Sequence, residues 1–319
     1  MESLMENYLK PYGDIELQRR MVSDLIRTNA FAEAIREVVQ PGDKVLDVGT
    51  GTGILSMFAA QAGAARVDAI DASDIASVAA KLVETNGMSD TIRVREGLAG
   101  DLQLDEKVDV IVSEWLGSAA FAEGMLHPVL EARDNNLAPQ GKMLPSKVRV
   151  LIAPVDEPII YNAEGPGFWR APIQGLDFSS LQREELEQGL TVQMQVSSAS
   201  VLAPGQTIVE VDLASVSVDD VYFEGSLEFT PVRDGILNGF CVWFDAELSP
   251  NVTLDTSPFQ PETHWAQTYM SFTPRPVREG EPLKVDIYFS YDSEIDSIRR
   301  YVDLRISVGQ EELKYVIDN

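Results

Sequence analysis

The chain of 319 residues contains a single cysteine, Cys241, so no disulfide can form within it. A lone thiol is typical of proteins in a reducing compartment, and we expect a cytoplasmic location. No run of about 18 apolar residues is present, which argues against a membrane-spanning helix and a membrane partner. The first ten residues carry acidic side chains and no apolar core, so a secretory signal peptide is not expected.

Basic residues are scarce. There are 25 Lys and Arg against 51 Asp and Glu, which gives a formal net charge of −26. A nucleic-acid partner held by a general basic surface is therefore not expected, because phosphate binding depends on Lys and Arg. The acidic excess has two compatible interpretations: solubility, especially in a salty cytoplasm, and long-range attraction of a basic substrate.

The hydrophobic content is 45%, enough for a well-buried core, and the length is typical of two domains. Residues 1–40 place apolar side chains at helical spacings and predict helices. Strand and helix patterns then alternate as far as residue 146, which predicts a parallel, doubly wound sheet, with 138–145 as a turn. Residues 147–319 are rich in β-type segments and predict an antiparallel barrel or sandwich, interrupted at 161–189 by a loop and a short helix.

The segment VLDVGTGTG, residues 45–53, follows a predicted strand and begins a helix, with glycines at three alternate positions. Such glycines allow a sharp turn and a ligand close to the backbone. The spacing differs from the dinucleotide fingerprint, whose last glycine falls one residue later. The acid before the first glycine, Asp47, suits an ammonium group better than a pyrophosphate. Alternatively, the segment is an ordinary glycine turn of an α/β fold.

Asp71 completes the ligand pattern. It ends the second predicted strand, where an acid can accept hydrogen bonds from both ribose hydroxyls. A ligand with an α-amino group, a ribose and no phosphate is S-adenosylmethionine. The sequence therefore predicts this cofactor, and no metal ion, at a site formed by Asp47, Gly49, Gly51, Gly53 and Asp71.

Two glutamates flank a small, apolar loop in the stretch SEWLGSAAFAEGM. Glu114 follows the fourth predicted strand and is expected beside the cofactor, while Glu123 stands at the far end of the loop. Two carboxylates in a poorly solvated site repel each other unless a cation lies between them, and a guanidinium with five donors fits. They would draw positive charge to one side of that group and leave a nitrogen lone pair facing the methyl donor. Alternatively, Glu123 is a helix N-terminal acid stabilised by the dipole.

These motifs, together with the tripeptide THW at 263–265, resemble the protein arginine methyltransferase family. The resemblance extends over nearly the whole chain. It implies N-terminal helices at 1–40, a Rossmann-like cofactor-binding domain at 41–146, and a β-barrel domain at 147–319 with a dimerisation arm at 161–189. A lone histidine is more often structural, but within THW we expect His264 to be functional.

The resemblance also assigns roles to single residues. Glu114 and Glu123 match the glutamates that hold the substrate guanidinium, and Arg27 matches the arginine that holds the cofactor carboxylate. Asp24 matches an aspartate that pairs with His264 and ties the N-terminal helix to the barrel.

Further positions surround the two ligands by the same likeness. Tyr12 and Gln18 are expected to contact the cofactor, and Tyr8 and Trp265 to form part of the substrate pocket. Two methionines, Met21 and Met125, match pocket residues of members that make asymmetric dimethylarginine. Monomethylarginine and asymmetric dimethylarginine are therefore the predicted products.

The chain departs from the family pattern at several positions. Leu9 replaces a phenylalanine that covers the cofactor, and Ser118 and Ala122 replace aromatic residues of the loop. Gly100 stands where the family places a glutamate that meets the adenine amine. The next residue, Asp101, is predicted to take that cofactor-binding role.

The sequence thus predicts an S-adenosylmethionine-dependent enzyme that methylates arginine in a basic protein or peptide and works as a homodimer. Two alternatives remain: an enzyme of the same fold acting on a small guanidino or amino compound, and a catalytically weak scaffold that binds the cofactor. The dimer rests on apolar side chains in the arm, which would otherwise fold back on the barrel: Phe168, Trp169, Ile173, Leu176, Phe178 and Leu181.

Overall fold

The computed structural model describes residues 14–291 and 301–318, and two helices open this part of the chain. Helix α1 spans Ile15–Ser23 and α2 spans Leu25–Val38. Asp14 caps the first helix by accepting a hydrogen bond from the Glu16 amide. Asp24 breaks the chain between them with an extended backbone and caps the second helix through the Arg27 amide. The helices therefore meet at a fixed corner, with Asp24 at its apex.

A five-stranded parallel sheet follows, in the order β3-β2-β1-β4-β5. Its strands are β1 Lys44–Val48, β2 Arg66–Asp71, β3 Ile92–Glu96, β4 Val108–Val112 and β5 Leu137–Leu144, and its helices are α3 Ile54–Gln61, α4 Ile75–Thr85 and α5 Leu126–Asn136. The inner strands β1, β2 and β4 are mostly buried and carry valine and isoleucine, as expected for a sheet covered by helices on its faces. The carboxyl ends of β1, β2, β3 and β4 meet along one edge, so the segments after them lie side by side.

The predicted turn at 138–145 is wrong, because most of it belongs to β5. This strand pairs in parallel with β4, with Ile111 opposite Met143 and Val112 opposite Leu144. Pro139 and Gly141 gave the segment its turn-like composition. They are tolerated because β5 lies at the edge of the sheet and both residues fall between Leu137 and Lys142, where the register with β4 shifts.

The second half of the described chain forms two antiparallel sheets. The larger has the order β7-β12-β10-β6-β8, with β11 paired to β10, and the smaller has the order β15-β14-β13-β9. The bounds are β6 Lys147–Val155, β7 Thr191–Met194, β8 Gln206–Asp212, β9 Tyr222–Phe229, β10 Gly235–Ser249, β11 Val252–Asp255, β12 Gln267–Val277, β13 Leu283–Tyr291, β14 Val302–Val308 and β15 Glu311–Ile317. This is the antiparallel, barrel-like part that the sequence predicts.

The excursion between β6 and β7 contains short helices rather than strands. Helix α6 spans Pro158–Ala163, a 3-10 turn spans Pro166–Arg170, and α7 spans Leu181–Gln188. Trp169 lies at its centre, with ring centroids 4.9 Å from Phe168 and 6.3 Å from Phe178. Its indole donates to the Glu185 carboxylate. The arm thus has a small cluster of aromatic rings of its own.

One apolar cluster joins the two halves of the molecule. It runs from strands β1 and β4 through the loop before α5 to strands of both antiparallel sheets. A smaller cluster lies between the arm and the larger antiparallel sheet and includes Tyr161, Cys241 and Tyr269. No helix within 14–291 or 301–318 is both long and apolar enough to cross a membrane.

Candidate active site

The glycine loop leaves β1 at the carboxyl edge of the parallel sheet. Gly49, Gly51 and Gly53 have φ angles of 70°, 56° and 81°, in the left-handed region that side chains with a Cβ rarely adopt. A Cβ on Gly53 would make only ordinary contact, 3.5 Å from the Ala79 Cβ on α4. The loop therefore needs glycine for its backbone conformation.

Asp47 lies beneath this loop and is fully buried. Its Oδ2 accepts the Thr50 hydroxyl at 2.6 Å, the Ser56 hydroxyl at 2.6 Å and the Ser56 amide at 3.0 Å. Its Oδ1 is buried without a hydrogen-bond partner among the described residues. Burial raises the pKa of Asp47 to about 6, although the hydrogen bonds from Ser56 and Thr50 oppose that shift. The carboxylate fixes the loop and can act on a nearby ammonium through its charge.

Asp71 faces the glycine loop from the end of β2. Its Oδ2 accepts the Gly51 amide at 2.9 Å, and its Oδ1 accepts the amide and hydroxyl of Ser73 at 2.9 and 2.7 Å. Gln18 reaches the same place from α1, because a Cβ on Gly51 would lie 2.9 Å from its Oε1. The structure therefore brings together Asp71, Gly51 and Gln18, three of the residues predicted to contact the cofactor.

Glu114 and Arg27 form a buried ion pair at the end of β4. The Arg27 Nε donates to Glu114 Oε2 at 2.9 Å, and Nη2 donates to the same oxygen. The Leu116 amide donates to Oε1 at 3.0 Å. Both side chains are at most 7% exposed, so each charge depends on the other for stabilisation. Arg27 is thus placed beside the predicted catalytic glutamate, which the sequence alone did not indicate.

Glu123 lies half-buried ahead of helix α5. The helix starts at Leu126 with Met125 as its N-cap, and its first turn has no acidic residue. Gly124, with a φ of 68°, turns the chain between Glu123 and that cap. Glu123 therefore stands outside the helix, a position that does not favour the alternative in which it is a helix N-terminal acid.

The loop between the two glutamates is buried and anchored in the antiparallel sheets. The Phe121 ring lies 5.7 Å from Trp115, 6.4 Å from Phe289 and 5.7 Å from Tyr291, centroid to centroid. Gln193 on β7 donates to the Ser118 hydroxyl. Contacts with β13 and β7 thus fix the loop on the side away from the parallel sheet. The two carboxylates are therefore surrounded by buried, apolar side chains.

The THW segment closes the site from the opposite side. Asp24 Oδ2 accepts hydrogen bonds from the His264 backbone amide and from its Nδ1, both at 2.8 Å. Trp265 donates its indole N–H to the Leu116 carbonyl at 2.5 Å. Burial would raise the pKa of Asp24, but the hydrogen bonds from His264 and Arg27 outweigh it and lower that pKa to about 2. These hydrogen bonds join helices α1 and α2, and the loop between Glu114 and Glu123, to the barrel.

The remaining predicted residues are placed less closely. Met21 and Met125 are half-buried, and the Met125 Cε would lie 3.5 Å from a Cβ on Gly49. Asp101 is exposed at the end of the 3-10 turn Ala99–Asp101. Tyr8 and Tyr12 lie outside the described residues.

Several polar residues of the site were missed by sequence reasoning. Ser56 and Thr50 hold Asp47, and the Arg20 guanidinium donates to the His264 carbonyl at 2.9 Å. The contact of Thr50 with Asp47 could have been predicted, since a hydroxyl three residues after a buried aspartate is a common loop partner. The contact of Arg20 could not have been predicted, because its partner lies 244 residues away in sequence.

Comparisons with known proteins match both halves of the chain. Residues 149–308 match the family described as the arginine methyltransferase oligomerization subdomain. Residues 27–141 match the ribosomal protein L11 methyltransferase family. Protein arginine N-methyltransferase 1 of Schizosaccharomyces pombe is 36% identical over 286 residues, covering 87% of this chain and 82% of that protein.

Two further relatives cover more of the chain. Protein arginine N-methyltransferase 6 of Danio rerio is 35% identical over 320 residues, covering 95% of this chain and 90% of that protein. The Trypanosoma brucei PRMT1 enzyme–prozyme heterotetrameric complex with AdoHcy contains a chain that superposes with a TM-score of 0.86. That chain is 29% identical, and the match covers 96% of this chain and 99% of that one.

Proposed function

Because the chain belongs to the protein arginine methyltransferase family, we propose that it moves a methyl group from S-adenosylmethionine to a guanidinium nitrogen of a protein arginine. The products are monomethylarginine and asymmetric dimethylarginine. The observation that carries this function is the loop between Glu114 and Glu123, which presents two acids on a buried apolar frame beside the glycine loop.

The cofactor would lie along the carboxyl edge of the parallel sheet, and the residues there fit its groups. Asp71 offers carboxylate oxygens for the ribose, and Asp47 supplies negative charge beneath the position of an ammonium. Arg27 offers a guanidinium for the carboxylate, close to Glu114. When bound, S-adenosylmethionine supplies an electrophilic methyl group on a sulfonium. The donor set has cationic and anionic groups where a zwitterionic amino acid needs them.

The protein's own part in the reaction is orientation and charge. Glu114 and Glu123 accept hydrogen bonds from the substrate guanidinium and hold its positive charge on the nitrogens they touch. A nitrogen turned away from them keeps lone-pair character and is aimed at the methyl carbon. The buried loop excludes water, so each charged hydrogen bond is stronger than it would be in solvent. His264 and Asp24 maintain the position of α1 and α2 over the site.

A methyl-transfer assay with matched substrates tests this function. We expect labelled methyl groups from S-adenosylmethionine to enter a basic peptide with arginine and not the same peptide with lysine in its place. Mass spectrometry should then find monomethylarginine and asymmetric dimethylarginine. Labelling of free guanidines or amines, but of no peptide, would favour the small-molecule alternative. Symmetric dimethylarginine would contradict the proposed product.

We further propose that the chain acts as a homodimer through the arm at 161–189. Several apolar side chains of the arm are exposed: Phe168 is 49%, Ile173 37% and Leu176 63% exposed. Ile15, Leu25 and Ile26 are exposed on α1 and α2 and offer a matching apolar surface on a second copy. Light scattering at micromolar concentration should give twice the chain mass. A monomer, or full activity after deletion of the arm, would contradict this role.

A further inference from the structure

A carboxylate from α5 occupies the space of the side chain that Gly100 lacks. A Cβ on Gly100 would collide with Oε2 of Glu131 and lie 3.1 Å from its Cδ. Asn135, one turn further along α5, donates its side-chain amide to the Gly100 carbonyl at 3.0 Å. The helix and the 3-10 turn are thus held together at this point, and glycine at position 100 leaves room for the Glu131 carboxylate.

The order of the strands indicates which part of the cofactor reaches this turn. Glu114 lies just after β4, with Arg27 of α2 paired to it, while the glycine loop follows β1 and Asp71 ends β2. The next strand along the same edge is β3, which leads into the turn at Ala99–Asp101. A ligand with its amino acid part at β4 and β1 and its ribose at β2 therefore places its base beyond β3. Leu98, 42% exposed beside this turn, offers an apolar surface to a planar base.

We propose that Glu131 accepts a hydrogen bond from the exocyclic amine of the adenine and so selects adenine over a base with a carbonyl in that position. A carboxylate attracts an N–H donor, and it repels a carbonyl oxygen placed at the same point. The inference rests on the proposed function, since it requires an adenosyl cofactor at this edge. The sequence predicted Asp101 for the contact with the base, and the structure instead favours Glu131.

Calorimetry with two nucleosides tests the assignment without reference to turnover. S-adenosylhomocysteine carries an exocyclic amine on its base, and its inosine counterpart carries a carbonyl there. The neighbouring ring nitrogen accepts a hydrogen bond in the first compound and donates one in the second. The wild-type chain should bind the adenosyl compound about tenfold or more tightly, as expected for a partly exposed charged hydrogen bond. Glu131→Gln should bring the two affinities within about twofold, because an amide can donate to the inosine carbonyl.

Three variants make the outcome specific. Asp134→Asn removes the same charge from the same helix, where Asp134 pairs with Arg133, and should keep the wild-type preference. Asp101→Asn should keep it as well. The double variant Gly100→Glu, Glu131→Ala returns a carboxylate to this place from the turn itself and should restore the preference. Circular dichroism of each variant confirms that it is folded.

Each contrary result has its own meaning. An unchanged preference in Glu131→Gln, with a loss in Asp101→Asn, would overturn the assignment and support Asp101. An unchanged preference in both would also overturn it, while leaving the proposed function intact. A wild-type chain that binds neither nucleoside would instead overturn the proposed function, and this inference with it.

Discussion

Among single residues, Asp47 has a charge that changes in the range where enzymes work. Its burial raises its pKa to about 6, so the carboxyl group is neutral below that pH and ionised above it. A ligand with an ammonium group prefers the ionised form. Affinity for S-adenosylhomocysteine should therefore rise by about three- to tenfold between pH 5 and pH 7 and then level off.

Titration calorimetry across that pH range measures this effect. 5′-Methylthioadenosine, which shares the nucleoside but lacks the amino acid, provides a matched ligand and should show a flat profile. The Asp47→Asn variant should be flat for both ligands. If S-adenosylhomocysteine bound equally well at pH 5 and pH 7, the ionisation of Asp47 would have no part in binding.

The two glutamates differ in what their substitution should cost. Glu123→Gln keeps shape and removes one charge, so turnover should fall by about 10²- to 10³-fold while affinity for S-adenosylhomocysteine stays the same. Glu114→Gln should lose stability as well, because it leaves the buried Arg27 without a charged partner. Losses in the double variant should be far smaller than the product of the single losses. Near-normal turnover in Glu123→Gln would exclude the proposal that the two glutamates together hold the substrate guanidinium.

Among the elements, the corner between α1 and α2 depends on Asp24. Its lowered pKa of about 2 means that its hydrogen bonds stabilise the folded chain fully above pH 4 and are lost as the pH falls towards 2. Asp24→Asn should therefore destabilise the chain by about 1–2 kcal/mol at neutral pH, and the difference from wild type should shrink below pH 4.

Urea unfolding at several pH values measures that difference. Asp14→Asn is the matched control, because the Asp14 carboxylate caps α1 by accepting a hydrogen bond from the Glu16 amide in the same helix. It should cost little at any pH, since Asn caps a helix about as well as Asp. A pH-independent gap between Asp24→Asn and wild type would show that the carboxylate charge is not what stabilises this corner.

Elements with a strong local pattern could be predicted from the sequence, and those defined by their neighbours could not. The glycine loop after β1 and the strands β2 and β4 have unambiguous composition and periodicity. Strand β5 was missed because proline and glycine give it the composition of a turn, and only its place at the sheet edge makes it a strand. The contact between Gly100 and Glu131, and the pair of Arg27 with Glu114, join distant positions and leave no mark in the local sequence.

For the whole molecule, the net charge of −26 has opposite effects on stability and on substrate capture. Mutual repulsion destabilises the folded state at low salt, so added sodium chloride should raise the melting temperature. The same salt weakens long-range attraction, so KM for a basic peptide should increase while KM for S-adenosylmethionine stays nearly constant. Thermal scans and initial rates between 0.05 and about 1 M salt measure both. A peptide KM that does not change with salt concentration would argue against long-range electrostatic attraction of the substrate.

The apolar cluster that passes through Phe121 makes the loop between Glu114 and Glu123 part of a core that the two halves share. One side of the loop belongs to the parallel sheet and the other packs on β13, so separating the halves would expose both surfaces to water. We therefore expect that the methyl-transferring half does not fold as an independent module when it is expressed alone or exchanged between proteins without its barrel. Heating should melt both halves in a single cooperative transition.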